Sequence, residues 1–459
     1  MGDYQKIFKA YDIRGIVPDE LDERVAEAIG AAFARLTGAR SVVTVHDMRS
    51  SSAPLAEAFG RGAAAQGANV LAGGLGSTDM LYYASGSLDM PGAMITASHN
   101  PSKYNGIKLC REGARPVGAE SGLTDLRDMA AAGVPAYGGP PGTITERDLL
   151  AGYASHLKTL VDVSGIRPLT VAVDAGNGMA GLTVPKVFEG LPITLVPMYF
   201  ELDGTFPNHE ANPIDPRNLR DLQRSVIDSG ADIGLAFDGD ADRCFVVDER
   251  GQIVSPSVLT ALVAVRELAR EPGATVIHNL ITSRAVPEII VEHGGTPVRT
   301  RVGHSFIKAR MAETGAVFGG EHSGHFYFRD FWFADSGMLA ALHLLAALGE
   351  QDGPLSALLA GYGRYVASGE INSEVHDHAA ATARVREEFA SGRDVTTDEL
   401  DGMTVSAEGW WFNLRPSNTE PLLRLNLEAT DETTMTKLRD EVLSIVRAHP
   451  RETPPKEAL

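Results

Sequence analysis

Short β-branched runs alternate with Ala- and Leu-rich amphipathic stretches through the first three quarters of the chain, and this alternation limits the fold more than any other feature. SVVTV (41–45), GAMIT (92–96), LTVAVD (169–174), ADIGLAFD (231–238), ATVIHNL (274–280) and AVFGG (316–320) read as strands. Residues 53–66, 185–191 and 336–349 read as helices or parts of helices, the last with Asp335 as its N-cap. Such an order predicts α/β layers on mixed, mostly parallel sheets. The last quarter differs. GMTVSAEGWWFNLRPS and LLRLNLEA read as strands, 379–388 as a helix, and 431–448 as a closing helix with Met435, Leu438, Val442 and Ile445 at helical spacing. This predicts a separate α+β domain, with breaks in the chain near 134–143, just after 252 and near 366–375.

The 459 residues suggest about three domains by length alone. No 18-residue apolar run occurs, which argues against a membrane span, and MGDYQKIFKAYDIRG lacks the apolar core of a secretory signal. Gly2 invites a myristoylation reading, but Lys6 stands where Ser or Thr is needed. Two cysteines, Cys110 and Cys244, exclude a disulfide scaffold and a Cys-based zinc site; the expected compartment is the cytoplasm. The net charge of −19 argues against nucleic-acid and acidic-membrane partners. A phosphate-bearing substrate would then need a local cluster of cations and N–H donors set against the overall field.

Several loops supply such chemistry. TASHNP (96–101) follows a strand, so Ser98 stands where α/β folds place their ligands and can serve as nucleophile or phosphate carrier, with His99 adjacent and Lys108 close behind. A helix cap followed by an Asn-Pro turn is the plain alternative for that serine. DGDADR (238–243) places Asp238, Asp240 and Asp242 among small residues after a buried strand. Three converging carboxylates repel unless a cation neutralises them, and hard oxygen ligands suit Mg2+. An EF-hand is excluded because Arg243 stands where that loop requires Gly and strands flank it; Arg243 makes better sense as a phosphate ligand. GGEHSGH (319–325) offers Glu321, Ser323 and His325 on a loop that permits close approach to a sugar. RPSNTEP (415–421) offers Arg415 for bidentate phosphate binding, with Ser417, Asn418 and Thr419 as further donors. Arg14 in AYDIRG could reach a shared site. GNGMAG (176–181) matches a dinucleotide fingerprint, with Glu201 beyond it, but that reading leaves the serine, aspartate and RPSNTEP loops idle, and we reject it.

Taken together and in this order, these loops resemble the α-D-phosphohexomutase superfamily, most closely its phosphomannomutase/phosphoglucomutase branch. DGTFPNHEANP (203–213) also looks like a family segment. The resemblance covers essentially the whole chain. It implies three related α/β domains, 1–150, 151–253 and 254–368, and a smaller α+β domain, 369–459, around a central cleft. It further implies Ser98 as a phosphoserine that shares Mg2+ with Asp238, Asp240 and Asp242. Arg14, His99, Lys108 and His325 are expected at the reacting centre, with Lys108, His325 and Arg14 the candidates for general base. Arg243, His304, Glu321, Ser323, Arg415, Ser417, Asn418 and Thr419 are expected on the substrate. The implied activity interconverts mannose 6-phosphate and mannose 1-phosphate, with glucose phosphates as further substrates, through a hexose 1,6-bisphosphate that also acts as activator. Its partners would be small hexose phosphates, in a monomer or homodimer. Where some members carry a third-domain Lys, Ile281 stands here; Arg284 or Lys308 could compensate. Asn418 and His322 argue against the alternative of a phosphoglucosamine mutase. A sugar-phosphate phosphatase or a non-catalytic sugar-phosphate sensor would leave Ser98 or the aspartates unused.

Overall fold

Four sheets organise the chain in the computed structural model, which describes residues 3–390, 394–417 and 422–448. The first runs Ile13–Ile16, Tyr104–Arg111, Gly92–Ile95, Ser41–His46, Asn69–Leu75 and Ile144–Glu146, with Arg115–Pro116 paired outside this path. The second runs Ile253–Val254, Cys244–Asp248, Ile233–Phe237, Leu169–Asp174 and Ile193–Met198. The third runs Thr296–Thr300, Thr275–Asn279, Phe318–Gly320, Phe326–Phe328 and Ala334–Asp335. The fourth, from Val366–Glu374 to Thr396–Asp398, is antiparallel throughout.

The first three sheets share one device. A buried strand that pairs in parallel with its neighbour ends, the chain turns, and the next strand returns antiparallel beside it: Gly92–Ile95 into Tyr104–Arg111, Ile233–Phe237 into Cys244–Asp248, and Phe318–Gly320 into Phe326–Phe328. The three turns are the serine, aspartate and glutamate loops. Ile233–Phe237 is buried at every position, as its unbroken apolar run requires. In the first sheet the strands on either side of Ser41–His46 are reached by successive crossovers, so the serine loop opens at a topological switch point, the usual ligand crevice of such sheets.

One apolar core joins the first three units, from Val43 and Tyr153 through Val171 and Phe237 to Val263 and Leu342. The helix Gly337–Gly349 is buried along its whole length, which accounts for its apolar surface on every side. Its N-cap is Ser336 rather than Asp335: the Ser336 hydroxyl accepts from Leu339 N at 3.0 Å, while Asp335 ends the preceding strand and pairs with Lys308 Nζ at 2.6 Å. The last unit has a core of its own, including Phe389, Phe412, Leu425 and Val442. Among the described residues no helix is long and apolar enough to cross a membrane.

Candidate active site

Ser98 lies in the turn after Gly92–Ile95, 2 % exposed and in the left-handed region at φ 51°. Its backbone N–H donates to Thr96 Oγ1 at 2.9 Å, and the Thr96 hydroxyl donates to Asp47 at 2.7 Å. The turn aims the Ser98 hydroxyl at Asp238 Oδ2, 2.8 Å away; His99 Nδ1 stands 3.2 Å from Ser98 Oγ. Burial, then Arg243 and Arg14, push the His99 imidazole well below its ordinary range, so it is neutral.

Asp238, Asp240 and Asp242 converge with ligating oxygens within 4.8 Å of one another, all three buried. Burial, and then the charges of Asp242 and Asp240, push the Asp238 carboxyl well up. Burial would raise Asp240 and Asp242 too, but Lys108 holds both below the usual carboxylate range. Its ammonium lies 2.6 Å from each, and is itself kept charged by them against the effect of its burial. Asp240 Oδ1 and Asp242 Oδ1 remain buried without a hydrogen-bond partner. A hard divalent cation fits this donor set: oxygen ligands only, excess negative charge, and two oxygens without a donor.

The glutamate loop is joined to the aspartate loop by backbone: Arg243 and His325 form a bridge, and Cys244 N donates to Gly324 O at 3.2 Å. His325 Nδ1 lies 3.0 Å from Ser323 Oγ, and its Nε2 lies 3.6 Å from Asp242 and 3.9 Å from Asp335. Glu321 is buried, which would raise its carboxyl. Hydrogen bonding to His325, Gly303 N and Ser323 instead holds it down at about 2, an ionised acceptor.

Arg14, on Ile13–Ile16, donates to Asp12 and to Asn100 of the serine loop. Arg243 donates its backbone N–H to Asp238 at 3.2 Å, and its Nε lies 3.5 Å from the same carboxylate. His304 opens the helix His304–Thr314. Arg415 is held apart from this cluster: its guanidinium donates to Glu370 at 3.0 Å, within the last unit. Ser417 donates its backbone N–H to Leu422 O at 2.8 Å; Asn418 and Thr419 lie outside the described residues.

The two residues suggested as substitutes for a lysine at Ile281 both make contacts elsewhere. Lys308 is 3 % exposed, paired with Asp335 and set 4.1 Å over the Tyr82 ring; Arg284 reaches Ala407 O in the last unit. Thr78 was not legible as a site residue, yet its hydroxyl donates to Asp240 Oδ2 at 2.6 Å and its N–H to Asp240 O at 3.0 Å. The only signal was a Ser-Thr-Asp helix start, which is common. In the fingerprint-like GNGMAG, a Cβ on Gly178 would lie 2.7 Å from Gly239 O and one on Gly181 2.3 Å from Phe200 O, so these two glycines serve close packing, the first against the aspartate loop.

Known proteins to which this chain is similar include phosphohexomutases. Residues 5–126, 151–251 and 256–365 match alpha/beta/alpha domains I, II and III of phosphoglucomutase/phosphomannomutase, and 370–445 match its C-terminal domain. A protein of Xanthomonas campestris pv. campestris named as phosphohexose mutases is 43% identical over 95% of this chain and 98% of its own. A phosphomannomutase of Salmonella montevideo is 39% identical over 96% and 99%. The crystal structure of a phosphoglucomutase/phosphomannomutase family protein from Burkholderia thailandensis superposes with a TM-score of 0.87 at 33% identity, over 97% and 98% of the two chains. The chain belongs to the phosphoglucomutase/phosphomannomutase family. It is accordingly a mutase, an enzyme of the isomerase class.

Proposed function

We propose that this enzyme interconverts mannose 6-phosphate and mannose 1-phosphate, and accepts the glucose phosphates, with Ser98 as its phosphoryl carrier. The observation that carries this reading is the Ser98 hydroxyl, 2.8 Å from Asp238 in a buried cluster of three carboxylates and one lysine. In the first half-reaction a substrate hydroxyl oxygen bonds to phosphorus as the bond from phosphorus to Ser98 Oγ breaks. The hydroxyl proton passes to a base and ends on Ser98 Oγ. The resulting hexose 1,6-bisphosphate turns about, and its other phosphate returns to Ser98 by the reverse path. Such transfers ask mainly for positioning and charge neutralisation.

Asp238, Asp240 and Asp242 would hold Mg2+, which supplies neutralisation of the phosphoryl oxygens when bound. Lys108 is held as an ammonium between two carboxylates and Arg14 carries a guanidinium, so His325, set among Ser323, Asp242 and Asp335, is the group suited to take the proton. Glu321, Ser323 and His304 would grip sugar hydroxyls. Arg243 and Arg415, with Ser417, Asn418 and Thr419, would hold phosphate. Two free, buried cysteines fit a reducing compartment, the cytoplasm.

Intact mass with peptide mapping tests the carrier role. Hexose 1,6-bisphosphate should add about 80 Da at Ser98, mannose 1-phosphate should discharge it, and Ser98→Ala should abolish both the adduct and turnover. Absence of any adduct would sink the proposal. Comparing mannose 1-phosphate, glucose 1-phosphate and glucosamine 1-phosphate decides the sugar, and a preference for the amino sugar would overturn the mannose reading.

A further inference from the structure

Arg49 lies outside every motif noted in the sequence, and it is the most completely engaged arginine in the first unit. Its side chain is 1 % exposed. A guanidinium has five N–H bonds, and here each has an acceptor. Nε donates to Asp47 at 3.2 Å. Nη1 donates to the carbonyls of Pro101 and Tyr104, both at 3.0 Å. Nη2 donates to the carbonyls of Ser98 at 2.8 Å and Asn100 at 2.7 Å. One side chain thus gathers four carbonyls of the loop that bears Ser98, including that of Ser98 itself. A lysine has three N–H bonds from a single nitrogen and cannot reproduce the fork.

The open face of this guanidinium is covered from the second unit. The Phe206 ring centroid lies 5.0 Å from Arg49 Cζ, stacking distance for a cation on an aromatic face. Phe206 belongs to DGTFPNHEANP, whose resemblance to a family segment came with no role. The segment is built for this contact. Phe206 holds φ at 54°, and its N–H donates to Asp203 O at 3.1 Å. Asn177, from the GNGMAG loop, accepts from Asp203 N at 3.0 Å and from Asn208 at 2.8 Å. A Cβ on Gly204 would lie 2.6 Å from Arg49 Cα, so only glycine lets the two chains meet so closely.

We propose that Arg49 and Phe206 are positioning residues for phosphoryl transfer: together they fix the left-handed Ser98 turn and set it in register with the aspartate loop of the second unit. The inference rests on Ser98 as the carrier only for its kinetic part. The geometric part, that the pair orders residues 98–104, stands apart from the reaction.

The test uses Phe206→Ala, which leaves the buried Arg49 in place, alongside Arg49→Lys. Hydrogen exchange of peptides covering 98–104 in the substrate-free protein should quicken about tenfold in each, with the strand Gly92–Ile95 unchanged. With mannose 1-phosphate, kcat should fall about tenfold while KM stays within about twofold, the pattern of a misplaced reacting group. Phe206→Tyr, which keeps the aromatic face, should restore both. Unchanged exchange in Phe206→Ala, an unmoved kcat, or a loss confined to KM overturns the proposal. Should the wild-type protein fail to phosphorylate Ser98, the carrier reading falls, and the exchange result still decides whether this pair orders the loop.

Discussion

Buried like charges at the aspartate loop work against folding and toward cation binding. Asp238 is fully buried beside Asp240 and Asp242, with Lys108 reaching only the latter two. Asp238→Asn keeps the shape and removes one charge. The metal-free variant is expected to be more stable by about 1 kcal/mol, while activity and Mg2+ affinity collapse, because relieving repulsion among three clustered, buried carboxylates helps the fold and losing one carboxylate harms the site. Thermal melts with and without Mg2+, set beside turnover, check this; a destabilised metal-free variant would refute it.

A second residue sets pH dependence. His343 is buried in the helix Gly337–Gly349 and stacks on Phe328, and burial lowers it to about 3. The unfolded chain takes up that proton near the ordinary histidine value of about 6.5, the folded chain only near 3. Stability from this group is therefore complete above the unfolded value and is lost as pH falls toward the folded one, at about 1.4 kcal/mol per pH unit. His343→Phe should leave stability at pH 7 nearly unchanged and flatten the acid limb of a plot of Tm against pH.

At the level of elements, the helix Gly337–Gly349 depends on one hydroxyl that does two jobs. Ser336 Oγ caps Leu339 N and donates to Asp79 Oδ2 at 2.6 Å; Asp79 also accepts from Tyr153 at 2.7 Å and from Ser77. The node ties the first unit to the third through a fully buried carboxylate. Ser336→Ala removes a cap and leaves Asp79 short of a donor, at a cost of about 2 kcal/mol, read as a fall in Tm of the joined first three units. The placement of Ser336 as cap instead of Asp335 has a simple cause. Both are good capping residues, and what separates them is Lys308, which reaches Asp335 from 27 residues earlier in the chain and takes its carboxylate.

Across the whole molecule, the last unit is docked by polar contacts and has its own core. Arg284 donates its backbone N–H to Glu428 and its guanidinium to Ala407 O, Arg299 pairs with Asp398 at 2.6 Å, and Val302 N donates to Asp401. Contacts of this kind contribute about 1 kcal/mol or less each, so the unit can move relative to the continuous core of the other three, as turning an intermediate within the cleft requires. Arg284→Ala combined with Arg299→Ala should raise KM for mannose 1-phosphate about threefold or more and leave kcat within about twofold, since Ser98 and the aspartates are untouched. A fall in kcat at constant KM would contradict this.

The buried strands that lead into the reactive loops, and the identity of those loops, were legible because both are local; neighbouring strands such as Asn69–Leu75, Tyr104–Arg111 and Cys244–Asp248 were not. An apolar run such as ADIGLAFD declares a buried strand, and DGDADR or RPSNTEP declares charge at a strand end within a few residues. Pairings across the chain were not legible. Nothing near Arg49 signals four carbonyls about fifty residues away, and nothing near Thr78 signals Asp240, 162 residues on. Lys308, open to either reading as a sequence, is committed by tertiary structure to Asp335. The sequence by itself determined the strands that enter the loops, several of the helices and the chemical loops themselves, through propensity, periodicity and residue type. Only the packing of three sheets on one core decided which loops share a site and which side chains hold them there, because buried donors and acceptors must find partners wherever the fold brings them.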